Sequence, residues 1–163
     1  MTPSSTALPA YSELAAQLEQ EILTDIPITR TMQLHIAQAD GDTIALAAPL
    51  APNVNDKGCA FGGSLASVLT LAGWALLVLQ LRAAGEECEV YVQDSYLKYL
   101  APVWGDFRAT AQLAEGESWS SFFAALTSRG KGRLRIMASV AGTDGAPATT
   151  LEARFVALRP KQA

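Results

Sequence analysis

From Ser64 to Leu81 the chain runs for eighteen residues without a charged side chain. That nearly meets the length of a bilayer-spanning helix. The run nevertheless contains Ser64, Ser67, Thr70 and Gln80, and it lies between strand-like segments of a chain of only 163 residues. A helix that is apolar on all sides is otherwise a core helix. The expectation is therefore a single domain wrapped around one long central helix, with no membrane insertion. A domain of this length buries roughly 70% of its unfolded surface and can build such a core without covalent staples.

The flanking patterns say what does the wrapping. Ser12 is placed to cap a helix running to about Leu23, with Leu14, Leu18 and Ile22 on one stripe, and Pro27 closes that region. Met32, Leu34 and Ile36 alternate with Gln33, His35 and Ala37, Asp40-Gly41 marks a tight turn, and Ile44 and Leu46 resume the alternation to Pro49. Pro52 to Gly63 is a polar loop into the long helix, and Gly85 suits its stop. Val90–Leu100 reads as a strand ended by Pro102, and Phe107, Ala109, Ala111 and Leu113 mark the next. Trp119, Phe122, Phe123 and Leu126 have helical spacing and predict a short helix over Glu117–Ser128. Leu134–Val140, an Asp144-Gly145 turn and Leu151–Phe155 give two more strands. Hairpin connections of this kind predict an α+β domain, a mainly antiparallel sheet packed on one helix. The sheet needs more cover than that helix gives, and self-association is the economical source.

Composition removes several function classes. Met1–Pro9 carries no Lys, Arg or early apolar block, so no secretory signal is expected. Two cysteines, Cys59 and Cys88, form no disulfide framework and suit a reducing cytoplasm. A net charge of −4 argues against nucleic acid as a partner. A lone histidine, His35, argues against His-rich metal sites, and no metal is expected.

The most informative segment is Asn53 to Ser64, with Lys57-Gly58 in its middle and Phe61-Gly62-Gly63-Ser64 at its end. A helix start leaves backbone N–H groups unpaired and partially positive. Gly62 and Gly63 clear side chains from it, so a phosphate or a carbonyl oxygen gaining charge can approach; a plain turn packed against a strand is the other reading. Gly63, Ser67 and Thr70 share one helix face, the only polar stripe on an oily helix. The two hydroxyls meet either a substrate or their own helix carbonyls.

Asp94 falls on the side of Val90, Val92 and Tyr96. There it is either a general base with a raised pKa or a solvent-facing edge residue. Lys131, Arg133 and Arg135 share a strand face, with Arg129 nearby. They either hold the phosphates of a carrier such as coenzyme A or guard a solvated edge. Trp119, Phe122 and Phe123 read as core, and Cys59 has no histidine beside it to make it a nucleophile.

Two stretches resemble the hotdog-fold thioesterases, most closely the thioesterase-like C-terminal domain of YiiD-type bacterial proteins. One is Asn53 to Trp74; the other is Tyr96-Leu97-Lys98-Tyr99-Leu100-Ala101-Pro102-Val103-Trp104-Gly105-Asp106. The resemblance implies a hotdog domain over residues 26–160, preceded by an extension with a helix over residues 1–25. It implies a homodimer or dimer of dimers whose sheets join, with sites at the subunit interface. It implies acyl thioester substrates carried by coenzyme A or acyl carrier protein, and no separate cofactor.

In related thioesterases a glycine N–H at the helix start polarises the carbonyl, a loop Asn assists, and a helix carboxylate activates water. Here Gly63 matches the glycine and Asn53 or Asn55 the amide. In the subfamily whose helix opens with His-Gly-Gly, the carboxylate's position falls on Thr70 and the histidine's on Phe61. No Asp, Glu or His occurs from Lys57 to Gly85. The implied site is thus Gly63, Asn53 or Asn55, Thr70 and Asp94, with Asp56 second as a base. Lys57, Phe61, Gly62, Ser64, Ser67, Arg133 and Arg135 fall to substrate binding. His35 is poorly placed for dehydratase chemistry. A thioester-binding module without turnover, and a structural subunit of a larger assembly, remain the rival expectations.

Overall fold

The computed structural model describes residues 8–161. The reading of the N-terminus as no secretory signal falls, for residues 1–7, outside the described residues. Helix α1 (Leu8–Asp25) begins a turn before the expected cap, so Ser12 lies within it. Its apolar stripe is as expected: Leu18 and Ile22 are buried and Leu14 packs at the margin of the core.

Pro27 opens a helix rather than closing the region. At φ −57° it precedes the four-residue helix α2 (Ile28–Thr31), because proline's fixed φ suits a helix start. Thr29 Oγ1, buried, ties that turn back to the carbonyls of Ile26 (2.7 Å) and Ile22 (3.1 Å). Gln33 then takes a left-handed φ of 55°, and the first strand starts at His35 instead of Met32. Strands β1 (His35–Ala39) and β2 (Thr43–Ala48) form the expected hairpin. In its turn Asp40 Oδ1 accepts the N–H groups of Asp42 (3.1 Å) and Thr43 (2.8 Å).

The apolar run becomes α3 (Gly62–Ala83), followed by β3 (Glu89–Tyr99), β4 (Phe107–Leu113), α4 (Trp119–Arg129), β5 (Lys131–Ala141) and β6 (Pro147–Leu158). Helix α4 starts two residues after the expected Glu117 and ends one residue past Ser128. Ser118 Oγ accepts the Ser121 N–H, and Gly130 at φ 66° ends the helix.

The six strands form one antiparallel sheet in the order β1-β2-β4-β5-β6-β3. The sheet curls around α3, which is the α+β hotdog arrangement. Alternate residues of β4, β5 and β6 (Ala109, Ala111, Leu134, Ile136, Leu151, Phe155) are buried against Leu65, Leu69, Ala72 and Leu76 of the helix. Helix α3 is long and apolar enough to span a bilayer, yet most of its apolar surface is spent on this core. Gly73 sets how closely helix and sheet approach. A Cβ there would lie 2.7 Å from the Phe155 ring.

The two sheet edges differ. Helix α1 lies over β1, and Glu19 Oε2 accepts the Ile36 N–H at 2.6 Å, occupying a donor of that edge. Strand β3, at the other end, pairs among the described residues only with β6 and exposes Tyr91, Val92, Tyr96 and Tyr99.

Candidate active site at the start of the central helix

The loop from Pro49 to Phe61 aims the start of α3. Asn53 is buried, and its Nδ2 donates to the carbonyls of Met32 (3.0 Å) and Pro49 (2.8 Å). Its own carbonyl accepts the Phe61 N–H at 2.7 Å. Asn55 folds the loop tip: Oδ1 accepts the N–H groups of Lys57 (2.8 Å) and Cys59 (3.2 Å), while Nδ2 reaches Cys59 Sγ at 3.2 Å. The β3–β4 connection clamps the loop from outside. Val103 O accepts the Ala60 N–H at 2.8 Å, and Asp106 Oδ1 accepts the Leu50 N–H at 2.8 Å. That carboxylate explains the Gly105-Asp106 turn as a fastening of the loop.

At the helix start itself Phe61 is extended and no side chain caps it. The first N–H to find a helical partner is that of Leu65, bonded to Phe61 O at 3.0 Å; those of Gly62, Gly63 and Ser64 make no hydrogen bond among the described residues. The Phe61 ring, 55% exposed, folds over Gly63, where a Cβ would collide with it. Tyr99 Oη donates to Gly62 O at 3.2 Å. That carbonyl belongs to the same peptide unit as the Gly63 N–H. A hydrogen bond on one end of an amide strengthens the donor at its other end.

The polar stripe faces β3. Gly63, Ser67 and Thr70 are half-buried, and the next residue on the same face, Trp74, donates its indole N–H to Val90 O of β3 at 3.2 Å. Ser67 Oγ donates to Gly63 O and Thr70 Oγ1 to Ala66 O, both at 2.8 Å. Their hydroxyl protons are therefore committed to the helix, and their oxygens remain acceptors. The helix-facing residues of β3 are only partly covered: Val92, Ser95 and Tyr99 are exposed and Leu97 is half-buried. Between α3 and β3 this strip of Gly63, Ser67 and Thr70 is thus only half-covered. Beside it Thr149, paired in register with Tyr99, is fully buried, and its hydroxyl has no partner among the described residues.

The structure thus brings together Phe61, Gly62, Gly63, Ser64, Ser67 and Thr70. Asn53 and Asn55 lie behind them with side chains engaged in the loop, and Lys57 sits at the exposed tip beside Asp56 (3.0 Å). Asp94 is elsewhere. Strict alternation puts it on the side of Val90 and Val92, but a bulge between Val92 and Asp94 shifts the register. An extra residue turns all that follows to the other face, so Asp94 and Tyr96 point outward, away from α3. Asp94 sits 3.8 Å from Arg154 there.

Arg133 and Arg135 are also on that outer face. Arg133 Nε donates to Gln93 at 3.1 Å. Arg135 lies between Glu117 (3.1 Å) and Glu152 (2.9 Å), whose hydrogen bonds raise its pKa above the ordinary value. Sequence reasoning passed over Tyr99, Asp106 and Trp74. Trp74 had a signal, being the next step of the Gly63, Ser67, Thr70 stripe.

Residues 15–159 match the model of a family described as a putative thioesterase (yiiD_Cterm). Among solved structures, a protein of unknown function from Chlorobaculum tepidum is 30% identical, with a TM-score of 0.86 over 91% of this chain and 96% of that one. A putative thioesterase from Shewanella oneidensis is 25% identical, with a TM-score of 0.77 over 91% of this chain and 99% of its own. A thioesterase from Haemophilus influenzae, at 15% identity and a TM-score of 0.69 over 91% of this chain and 92% of its own, shares the fold.

Proposed function

From the premise that this chain belongs to the putative thioesterase (yiiD_Cterm) family, we propose that it hydrolyses acyl thioesters of coenzyme A or acyl carrier protein at the start of α3. The observation that carries this reading is the row of three unpaired N–H groups, Gly62, Gly63 and Ser64, opening onto an apolar strip. The thioester carbonyl accepts from the Gly63 N–H, with Ser64 beside it. As water adds to the carbonyl carbon, charge develops on that oxygen. The helix start and the Tyr99-polarised amide stabilise it there, an effect on the order of 3 kcal/mol per donor. Ser67 and Thr70 oxygens accept from the attacking water. The carbon–sulfur bond then breaks, the proton lost by the water goes to the departing thiolate, and acid and thiol leave.

Helix α3 carries no carboxylate, and Asp94 faces the other way. A general base contributes about 10²–10⁴-fold, so turnover is slow. The site is completed by a second copy. One sheet edge is shielded by α1 and Glu19, while the long β3 edge is unpaired among the described residues and exposes Tyr91, Val92, Tyr96 and Tyr99. Long unprotected edges pair, and pairing β3 with β3 covers Tyr99, Val92 and the half-covered strip beside α3.

Thiol release from coenzyme A esters of graded acyl length tests the reading. The expected result is slow hydrolysis above the buffer rate for at least one length; rates equal to buffer on every ester contradict it. The carboxylate-free helix favours a second reading, a module that binds acyl thioesters without cleaving them. An ester that raises the melting temperature yet stays intact for hours selects that one.

A further inference from the structure

We infer that two copies of this chain join through β3 in one register, in which Glu89 of each copy faces Lys98 of the other. The inference rests on the edge pairing proposed above and adds its geometry; it does not depend on the thioester chemistry. The bulge between Val92 and Asp94 makes the register legible. Before it Val90 and Val92 are on the side of α3, and after it Ser95, Leu97 and Tyr99 are; Val90 and Leu97 pack against the core. The other residues of β3 face outward. Tyr91 Oη donates to Glu89 at 3.1 Å, Gln93 accepts from the outer-face Arg133, and the Lys98 ammonium lies 5.6 Å from the centre of the Tyr96 ring.

Residues directly opposite in an antiparallel pair lie on the same face, and a two-fold dimer uses the same strand twice. Registers centred on Gln93 or on Asp94 set Val92 opposite the partner's Asp94 or the partner's Tyr96, an inward residue against an outward one; the second also brings two Asp94 carboxylates together. With Gln93 opposite the partner's Asp94, every pair matches. Val92 meets the partner's Ser95, Tyr91 the partner's Tyr96, Val90 the partner's Leu97 and Glu89 the partner's Lys98. A slide of two residues either way sets Asp94 opposite the partner's Ser95 or Val92 opposite the partner's Gln93, again inward against outward. The chemistry agrees with the facing. Glu89 and Lys98 are exposed and neither forms an ion pair among the described residues. Gln93 Oε1 accepts from Arg133, which leaves its amide N–H groups to donate to the partner's Asp94. Tyr91 and Tyr96, 53% and 65% exposed in the single chain, cover each other. One step beyond the strand, the partner's Cys88 falls opposite Tyr99, so the second copy reaches the start of α3.

Disulfide trapping tests the register. Glu89 and Lys98 lie far apart along one strand, roughly 30 Å at about 3.3 Å per residue, so cysteines at both positions can bond only between copies. Residues directly opposite have Cα atoms about 4.5–5.5 Å apart, within reach of a disulfide. In a Cys88→Ser background, Glu89→Cys combined with Lys98→Cys should oxidise to a covalent dimer. Glu89→Cys combined with Tyr96→Cys, which are offset by two residues, should give at least about tenfold less. Should the cysteine variants fail to fold, judged by their melting curves, charge reversal reads the same contact. Glu89→Lys should raise the dimer dissociation constant at least about tenfold, since the contact occurs twice per dimer, and adding Lys98→Glu should restore it. A dimer that traps the offset pair as well as the matched one, or that the double reversal does not rescue, overturns the register alone. A wild-type protein that is monomeric at micromolar concentration overturns the edge pairing and the register with it.

Discussion

Tyr99 works through a peptide bond. Its hydroxyl grips the Gly62 carbonyl, and the amide on the far side of that unit, the Gly63 N–H, is the donor that the proposed reaction uses. Tyr99→Phe keeps the ring against Gly62 and removes only that hydrogen bond. A neutral hydrogen bond is worth about 1 kcal/mol net, so kcat should fall about fivefold with KM unchanged; a change in KM alone means the ring, and not the hydroxyl, matters. Asn53 acts differently. Asn53→Ala leaves the buried carbonyls of Met32 and Pro49 without their donor, and a melting curve should show a loss of about 2 kcal/mol or more.

Acid sensitivity also resides in single carboxylates. The hydrogen bond from Arg159 holds Glu86 below its ordinary pKa, and the Thr43 N–H does the same for Asp40. A pKa lowered by folding means that the unfolded chain takes up its proton first as the pH drops. That stability is present at neutral pH and is lost as pH falls through the carboxylate range. Melting temperatures from pH 7 to pH 3 should decline, and Glu86→Gln should decline less steeply.

At this scale the sequence located the helix-start glycines and the hydroxyl stripe, because both depend on spacing within one helix. It could not tell which way Asn53 and Asn55 turn. A buried amide serving two backbone carbonyls and an amide facing a substrate have the same neighbours in sequence.

Among the elements, α3 was legible throughout, since only a core or a membrane absorbs so long an uncharged run. Its contact with the sheet is set at Gly73. Gly73→Ala places a Cβ 2.7 Å from Phe155, and overpacking of this kind costs about 1–3 kcal/mol; a melting temperature equal to wild type would mean that the Phe155 ring has room to retreat. Strand β3 was legible in extent but not in facing. One residue inserted near Gln93 reverses every assignment after it, and nothing in the composition of Val92-Gln93-Asp94 announces it. Helix α2 was missed because Pro27 reads equally as a stop and as a start. Thr29, whose buried hydroxyl decides the matter by bonding upstream carbonyls, is visible only in three dimensions.

The whole molecule is asymmetric in a way that its sequence shows only by resemblance. One sheet edge is plugged by a helix and a glutamate, and the other is bare. Sedimentation should therefore give a dimer, and Val92→Lys, which puts a charge beside the bare edge, should shift it toward monomer; a monomeric wild-type protein at micromolar concentration contradicts the pairing.

The central claim is narrower than dimerisation: the free amides at the start of α3 receive the carbonyl next to sulfur. The most direct measurement is the amide spectrum of ¹⁵N-labelled protein titrated with a coenzyme A ketone analogue. The account predicts saturable downfield shifts of the Gly62, Gly63 and Ser64 amide protons, largest at Gly63. Binding that moves other resonances and leaves those three in place would contradict it.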